Sequence, residues 1–285
     1  MARVADLALT AVAPAVWGTT YLVTTEWLPD GYPLTLAALR ALPAGLLLLL
    51  VTRHFPPRDW IGRVFVLGTL NFSIFWGLLF VAAYRLPGGA AATIGALQPL
   101  MVMVFARGLL GQGLRPMAVT AALAGAAGVA LMLVGPDTAY DPLGVAAAAV
   151  ATVSMSAGTV LSRKWQPQVP VLAFTAWQLT AGGLVLSLLA VLFEPPLPEL
   201  TLSHVAGLAW LVLIGAALTY GLWLRGIARL EPQTVSLLGM LSPVVAVVLG
   251  WQVLGEALGP VQVLGAVAVL MSIWIGQRVS RPKGA

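Results

Sequence analysis

The sequence predicts an all-α membrane protein: ten transmembrane helices built as an inverted repeat of two five-helix bundles (5+5). Three observations predict it. The chain is 60% hydrophobic and only 9% charged, with mean hydropathy +0.95, whereas a soluble chain carries about 25% charge. Its apolar runs have the length a bilayer demands of a helix, roughly 20 residues each. One stretch of it also returns 144 residues later with the same special residues in the same order.

The runs read as spans 5–26, 33–52, 62–83, 88–107, 114–134, 142–162, 169–192, 204–226, 232–254 and 258–277, bounded by proline, glycine and clusters of charge. The first span carries one early arginine and no small-residue cleavage site, so it reads as retained and not as a removed signal.

Charge tests the count independently. Ten spans put both termini on one side. Taking that side as cytoplasmic places Arg3, Arg53, Arg58, Arg63, Arg107, Arg115, Arg163, Lys164, Arg225, Arg229, Arg278, Arg281 and Lys283 inside, and only Arg85 outside. Arg40 falls within a span. Basic bias sets orientation, so the expected location is a bacterial plasma (inner) membrane with N- and C-termini cytoplasmic.

The repeat is clearest in residues 84–116 and 228–260. Arg85, Gly95, Pro99, Gly111 and Pro116 fall opposite Arg229, Gly239, Pro243, Gly255 and Pro260 at one offset (229 − 85 = 144). Upstream, Phe55-Pro56-Pro57 is matched by Glu194-Pro195-Pro196 at a slightly shorter offset. Residues 1–137 and 138–285 thus form two five-span repeats. Five is odd, so the second must enter the membrane from the opposite side, around a pseudo-two-fold axis in the membrane plane.

Each repeat carries a glycine and a proline midway along a hydrophobic helix. Proline frees a carbonyl and bends the axis. In a bilayer such a bend survives only where it is buried in protein or lines a watery cavity. Gly95, Pro99, Gly239 and Pro243, with Pro14 and Gly18 in the first span, are therefore the expected bend and gating positions.

Candidate substrate-binding residues follow from polar and aromatic groups at mid-span depth. Trp17, Thr20, Tyr21 and Thr24 share one helix face, and Trp17 is too deep for an interfacial belt. They either face a cavity, the preferred reading, or pack between helices. Asn71, Phe75 and Trp76 in the third span, with Tyr220 in the eighth, offer an amide and stacked rings for a solute with polar and apolar parts. Trp223 reads instead as an interfacial anchor. Gln98 and Ser242 precede the matched prolines, where they satisfy freed carbonyls or touch substrate. Ser156 lies on a face of small polar residues with Thr152 and Thr159, a pattern that also suits helix packing. Arg40 is the one charge deep in a span; it either attracts a substrate carboxylate or bonds carbonyls, the structural role being preferred. Glu256 sits at a helix boundary, as a cap or gate.

Other functions are disfavoured. There is no cysteine, and the two histidines lie at predicted helix ends, so no metal or cofactor constellation is expected. No nucleophile has a base at its own depth, which argues against an enzyme. The net charge of +5 sits in loops, which is orientation and not nucleic-acid binding. Without a GxxxxGK[ST] loop the chain does not hydrolyse ATP, and without a mid-membrane acid uniport or exchange is the simplest mechanism. The expected partners are a small-molecule substrate and membrane lipid, with the monomer as functional unit because both repeats already supply the central site. Other small neutral or amphipathic metabolites and drugs are the alternative cargo; an intramembrane enzyme or a sensor is the remaining reading.

Trp17-Gly18 in the first span, Leu39-Arg40 in the second, Gln98-Pro99, Ser242-Pro243 and Gly255-Glu256 before the last span together resemble the EamA family of the drug/metabolite transporter superfamily. The likeness covers nearly the whole chain in two copies, and among members it looks most like the YddG-type amino-acid exporters. It implies export of amino acids, including aromatic ones, by alternating access. Two positions depart from symmetry. The sixth span has Ala157-Gly158 in place of Trp-Gly, and Gln112 stands where the second repeat has Glu256.

Overall fold

A computed structural model of the chain describes residues 2–86, 88–133, 141–253, 255 and 259–279. Among these residues every regular element is helical. Up to residue 133 they are α1 (Ala2–Trp17), α2 (Thr20–Trp27), α3 (Pro33–Thr52), α4 (Ile61–Gly68), α5 (Phe75–Arg85), α6 (Gly88–Gly95), α7 (Gln98–Leu110) and α8 (Pro116–Leu133). From residue 142 they are α9 (Pro142–Lys164), α10 (Val171–Phe193), α11 (Leu202–Val212), α12 (Thr219–Arg229), α13 (Pro232–Leu238), α14 (Leu241–Val253) and α15 (Pro260–Val279). π-helical turns at Thr69–Ile74 and Leu213–Leu218 join α4 to α5 and α11 to α12.

Local chemistry sets the ends. Proline opens α3, α8, α9, α13 and α15, where its fixed φ suits the first turn and its missing N–H costs nothing. Gly111 ends α7 with φ +66°, and Gly255 adopts φ +69°, a left-handed geometry that glycine takes without strain. Asp141 caps α9 by accepting from the Leu143 N–H at 2.8 Å.

Among the described residues, nine helices are long and apolar enough to cross a membrane, and Pro116–Met132 is a shorter apolar helix. The sequence expects that span to start at 114; the helix begins only at Pro116. Residues 134–140, where the sequence expects the two halves to be joined, and Glu256 lie outside the described residues.

Helix bounds recur at the offset seen in the sequence. The π turns start 144 residues apart (213 − 69 = 144), as do α5 and α12. The helix breaks recur as well, between Gly95 and Gln98 and between Leu238 and Leu241.

Across the molecule α3 lies along α10, and α8 along α15. At the second crossing Gly128 and Gly265 stand back to back. A Cβ on Gly128 would come 2.8 Å from the Gly265 carbonyl, and one on Gly265 would come 2.5 Å from the Gly128 carbonyl. Two glycines let these backbones touch, as in small-residue packing within lipid. Leu67, Phe72, Leu179 and Leu186 fill the interior, while Leu50, Val51, Val191, Phe193 and Leu264 point outward and exposed. An apolar exterior of this kind is stable against acyl chains and not against water.

Polar contacts gather at the helix ends. Glu194 accepts from the Leu34 and Thr35 N–H groups at 2.6 and 2.7 Å, and Arg85 meets Asp141 at 3.0 Å. At other ends Arg225 and Arg229 reach Asp6 at 2.6 and 3.4 Å, Arg115 meets Glu231 at 3.3 Å, and Arg163 donates to the Ala228 carbonyl. Each contact joins residues that a ten-span count places on one side.

Candidate functional site

The three helix breaks converge on a cavity of about 280 Å³. Proline and glycine chemistry explains why the helices open there. Pro99 and Pro243 have no N–H for the turn before them, so the chain falls back on tighter i→i+3 bonds. Leu97 N donates to Ile94 O at 3.0 Å, Met240 N to Leu237 O at 3.2 Å and Ser242 N to Gly239 O at 3.1 Å. In the first span the helix stops at Trp17 and restarts at Thr20. Pro14 sits inside α1, one turn before the break. Gly18 lets α1 meet α14: a Cβ there would lie 2.7 Å from the Ser242 carbonyl.

Each break presents residues to the cavity. Trp17 and Thr20 come from the first, Gly95, Ala96, Gln98 and Pro99 from the second, and Gly239, Met240, Ser242 and Pro243 from the third. Arg40 of α3, Phe75, Trp76 and Leu79 of α5, Thr152 and Met155 of α9, and Tyr220 and Trp223 of α12 complete much of the wall.

Aromatic rings dominate it. Trp17 lies 4.8 Å from Tyr220 and 5.0 Å from Trp223, ring centre to ring centre. Trp76 lies 5.9 Å from Tyr220, and Phe72 backs both rings. The tilted and edge-on geometries are those aromatic quadrupoles prefer. The Arg40 guanidinium sits 4.7 Å over the Trp76 ring.

A hydrogen-bond chain ties this wall to the second π turn. Trp17 Nε1 donates to Thr219 Oγ1 at 2.9 Å. Thr219 Oγ1 donates to the Gly215 carbonyl at 2.8 Å, and Arg40 Nη2 donates to the same oxygen at 2.7 Å. A π turn breaks the regular i→i−4 ladder, and such turns recur at functional sites.

Among the residues singled out from sequence, the structure gathers Trp17, Phe75, Trp76, Gln98, Tyr220 and Ser242 on one wall, with Gly95, Pro99, Gly239 and Pro243. Two candidates lie elsewhere. Asn71 is 4% exposed, and its Nδ2 donates to Gln178 Oε1 at 2.7 Å and Ser162 Oγ at 3.1 Å. Its amide is consumed by a buried polar knot between helices. Ser156 is fully buried behind the wall, donating to the Thr152 carbonyl at 2.6 Å with the Gln98 carbonyl at 3.5 Å. The side chain of Tyr21, near the start of α2, lies outside the described residues.

Trp223 corrects the sequence in the other direction. Expected as an interfacial anchor, it is 2% exposed and packs against Trp17 on the cavity wall. The expectation rested on depth along the span, and near its end α12 packs this ring inward against Trp17 of α1 instead of leaving it at a lipid interface. Leu79, Ala92, Ala148, Ala151, Met155 and Met240 also line the wall. Sequence reading missed them because an alanine or methionine facing a cavity looks the same as one facing a helix.

Comparison with known proteins agrees in kind. The model of the EamA-like transporter family matches twice, at residues 6–134 and 142–275. Protein PecM of Dickeya dadantii is 45% identical over 271 residues, covering 94% of this chain and 91% of that one. A probable amino-acid metabolite efflux pump of Salmonella typhimurium is 26% identical and covers 96% of each chain. A solved crystal structure superposes with a TM-score of 0.82 at 23% identity, over 98% of this chain and 99% of that one, a likeness of fold alone.

Proposed function

The chain belongs to the EamA-like transporter family, and from that premise we propose that this transporter of small metabolites exports amino acids, aromatic ones included, through the cavity at its helix breaks. The observation that carries the reading is the meeting of three broken helices around an aromatic-lined space with one buried cation. At about 280 Å³ the cavity is at the small end of ligand sites, a size for one ring and a short polar chain. The printed name of the Salmonella relative, an amino-acid metabolite efflux pump, points the same way.

Alternating access suits this architecture. Residues 1–137 and 138–285 act as two oppositely inserted five-helix repeats, and the bends at Gly95–Pro99 and Gly239–Pro243 let half-helices rock around a fixed centre. Leu79, Ala92 and Ala148 extend the cavity toward the ends held by Arg85 and Asp141, the outer side by the basic bias. Toward the other side, the ion pairs of Asp6 with Arg225 and Arg229 close the path. The structure is accordingly read as open outward and sealed toward the cytoplasm of a bacterial inner membrane. Both repeats line the cavity, so a monomer suffices.

Counterflow of labelled phenylalanine into proteoliposomes tests the proposal. Uptake is expected in the wild type and lost in Trp17→Ala and Trp76→Ala variants that remain folded. Uptake that survives both changes would place the transport path elsewhere. Accumulation that requires a proton gradient would refute uncoupled exchange while leaving the site intact.

A further inference from the structure

Three nitrogen donors on the cavity wall have no protein partner: Arg40 Nε, Gln98 Nε2 and Trp223 Nε1 are each buried without an acceptor. Among the described lining residues, no side-chain oxygen is stranded in the same way. The imbalance has chemical content. A buried N–H left unpaired is costly, so a wall whose unpaired groups are all donors is complementary to a ligand that brings acceptors.

Arg40 sharpens this to a charge. It is 9% exposed and is the one charged side chain among the described residues lining the cavity. No carboxylate among the described residues pairs with it. Its contacts are the Gly215 carbonyl at 2.7 Å and the Trp76 face at 4.7 Å. The carbonyl engages one Nη2 hydrogen, and the ring holds the guanidinium plane without using its N–H groups. A cation kept this far from water without a counter-ion marks a functional site in membrane proteins.

Resting on the reading of this cavity as the transport site, we propose that the carried solute is an organic acid whose carboxylate is bound by Arg40. Its apolar body lies among Trp17, Trp76, Tyr220 and Trp223, and Gln98 and Trp223 donate to further oxygens. A single guanidinium matches a monocarboxylate, which it can bind through two N–H groups, better than a phosphate dianion, which calls for more cations. No acid lines the described wall to meet an ammonium, so the amino group of an amino acid is dispensable. The site selects acids, of which amino acids are one kind.

Binding to the purified protein in nanodiscs, followed by calorimetry, separates these statements with three probes of one shape: 3-phenylpropionate, phenylalanine and phenylalaninamide. The two acids are expected to bind, and the amide to bind about ten- to a hundred-fold more weakly, the range for losing a charged hydrogen bond. Arg40→Gln should weaken both acids by a similar factor and leave the amide unchanged, and Arg40→Lys should restore part of the loss by keeping the charge without the fork. An amide that binds as tightly as phenylalanine, or acids that bind Arg40→Gln as well as wild type, would overturn the role of Arg40 while sparing the transport site. Phenylalanine binding without 3-phenylpropionate would overturn the dispensability of the amino group. If Arg40→Gln fails to fold, the wild-type comparison of the three probes still decides. Failure of all three to bind protein with a normal melting curve would instead remove the aromatic-solute reading, and this proposal with it.

Discussion

Trp17 and Trp223 face each other at 5.0 Å, yet their indole nitrogens are in opposite circumstances. Trp17 Nε1 is spent on Thr219, whereas Trp223 Nε1 has no acceptor in the protein. Substitution by phenylalanine keeps most of the ring and removes the N–H, so it separates the two roles. Trp17→Phe should lower stability by about 1 kcal/mol, the usual net worth of a hydrogen bond. Trp223→Phe should leave the melting temperature nearly unchanged, because no protein bond is lost, while weakening solute binding severalfold. Thermal melts followed by size-exclusion chromatography, beside counterflow, check both. A large drop in melting temperature for Trp223→Phe would mean that its nitrogen serves the fold. At this scale sequence was a partial guide. It picked out Trp17, Trp76, Gln98 and Tyr220 from depth and polarity alone, but the same criteria selected Asn71 and Ser156. A mid-membrane polar group needs a partner, and sequence cannot say whether that partner is a solute or, as for Asn71, Gln178.

Helices were more legible than residues, because their causes are local. The proline starts, the glycine ends and the breaks before Pro99 and Pro243 are written in single residue types, and the expected spans differ from the helices by a few residues at either end. The π turns were invisible, since one extra residue in a turn has no signature in composition. The small residues of α8 meet α15. There Gly128 offers a sharp test: its missing Cβ would lie 2.8 Å from a backbone oxygen and 3.0 Å from the Val269 N. Backbone cannot step aside as a side chain can, so Gly128→Val should force the pair apart and cost about 1–3 kcal/mol. Gly108, which has open space around it, is the control position: Gly108→Ala should gain slightly from helix propensity. Equal melting temperatures for the two variants would show that α8 and α15 are not held by close contact.

For the whole molecule, the proposed alternating access makes the ion pairs at the helix ends the contacts that would hold one face closed. At the ends the basic bias assigns to the outside, Arg85 donates to Asp141 at 3.0 Å and, with the Leu143 N–H, holds the Asp141 carboxyl below the ordinary carboxylate range. A depressed folded pKa contributes stability that is present above the unfolded value and lost as pH falls through the folded one. Melting temperature should therefore decline as the medium is acidified through the carboxylate range, with a weaker decline in Asp141→Asn. The pair is exposed to water, so the effect should be small and should shrink with added salt. At the opposite ends, Asp6 is more consequential. Its carboxyl is 13% exposed and meets both Arg225 and Arg229, bridging the start of α1 to the end of α12. Asp6→Asn leaves two guanidinium groups facing a neutral amide, which removes the attraction but not their mutual repulsion. Alternation between two states separated by a few kcal/mol is sensitive to such a loss, and the balance should move toward the inward-open form. The chain has no cysteine of its own, so Ser242→Cys puts a single thiol on the cavity wall with little change in volume. A membrane-impermeant maleimide should label it mainly from the outer face in the wild-type background. In the Asp6→Asn background, labelling from the cytoplasmic face of inverted vesicles should rise severalfold while the outer reaction slows. If both rates stay as they were, Asp6 is an ordinary surface ion pair, and the inner seal must come from the apolar packing of α1 on α12.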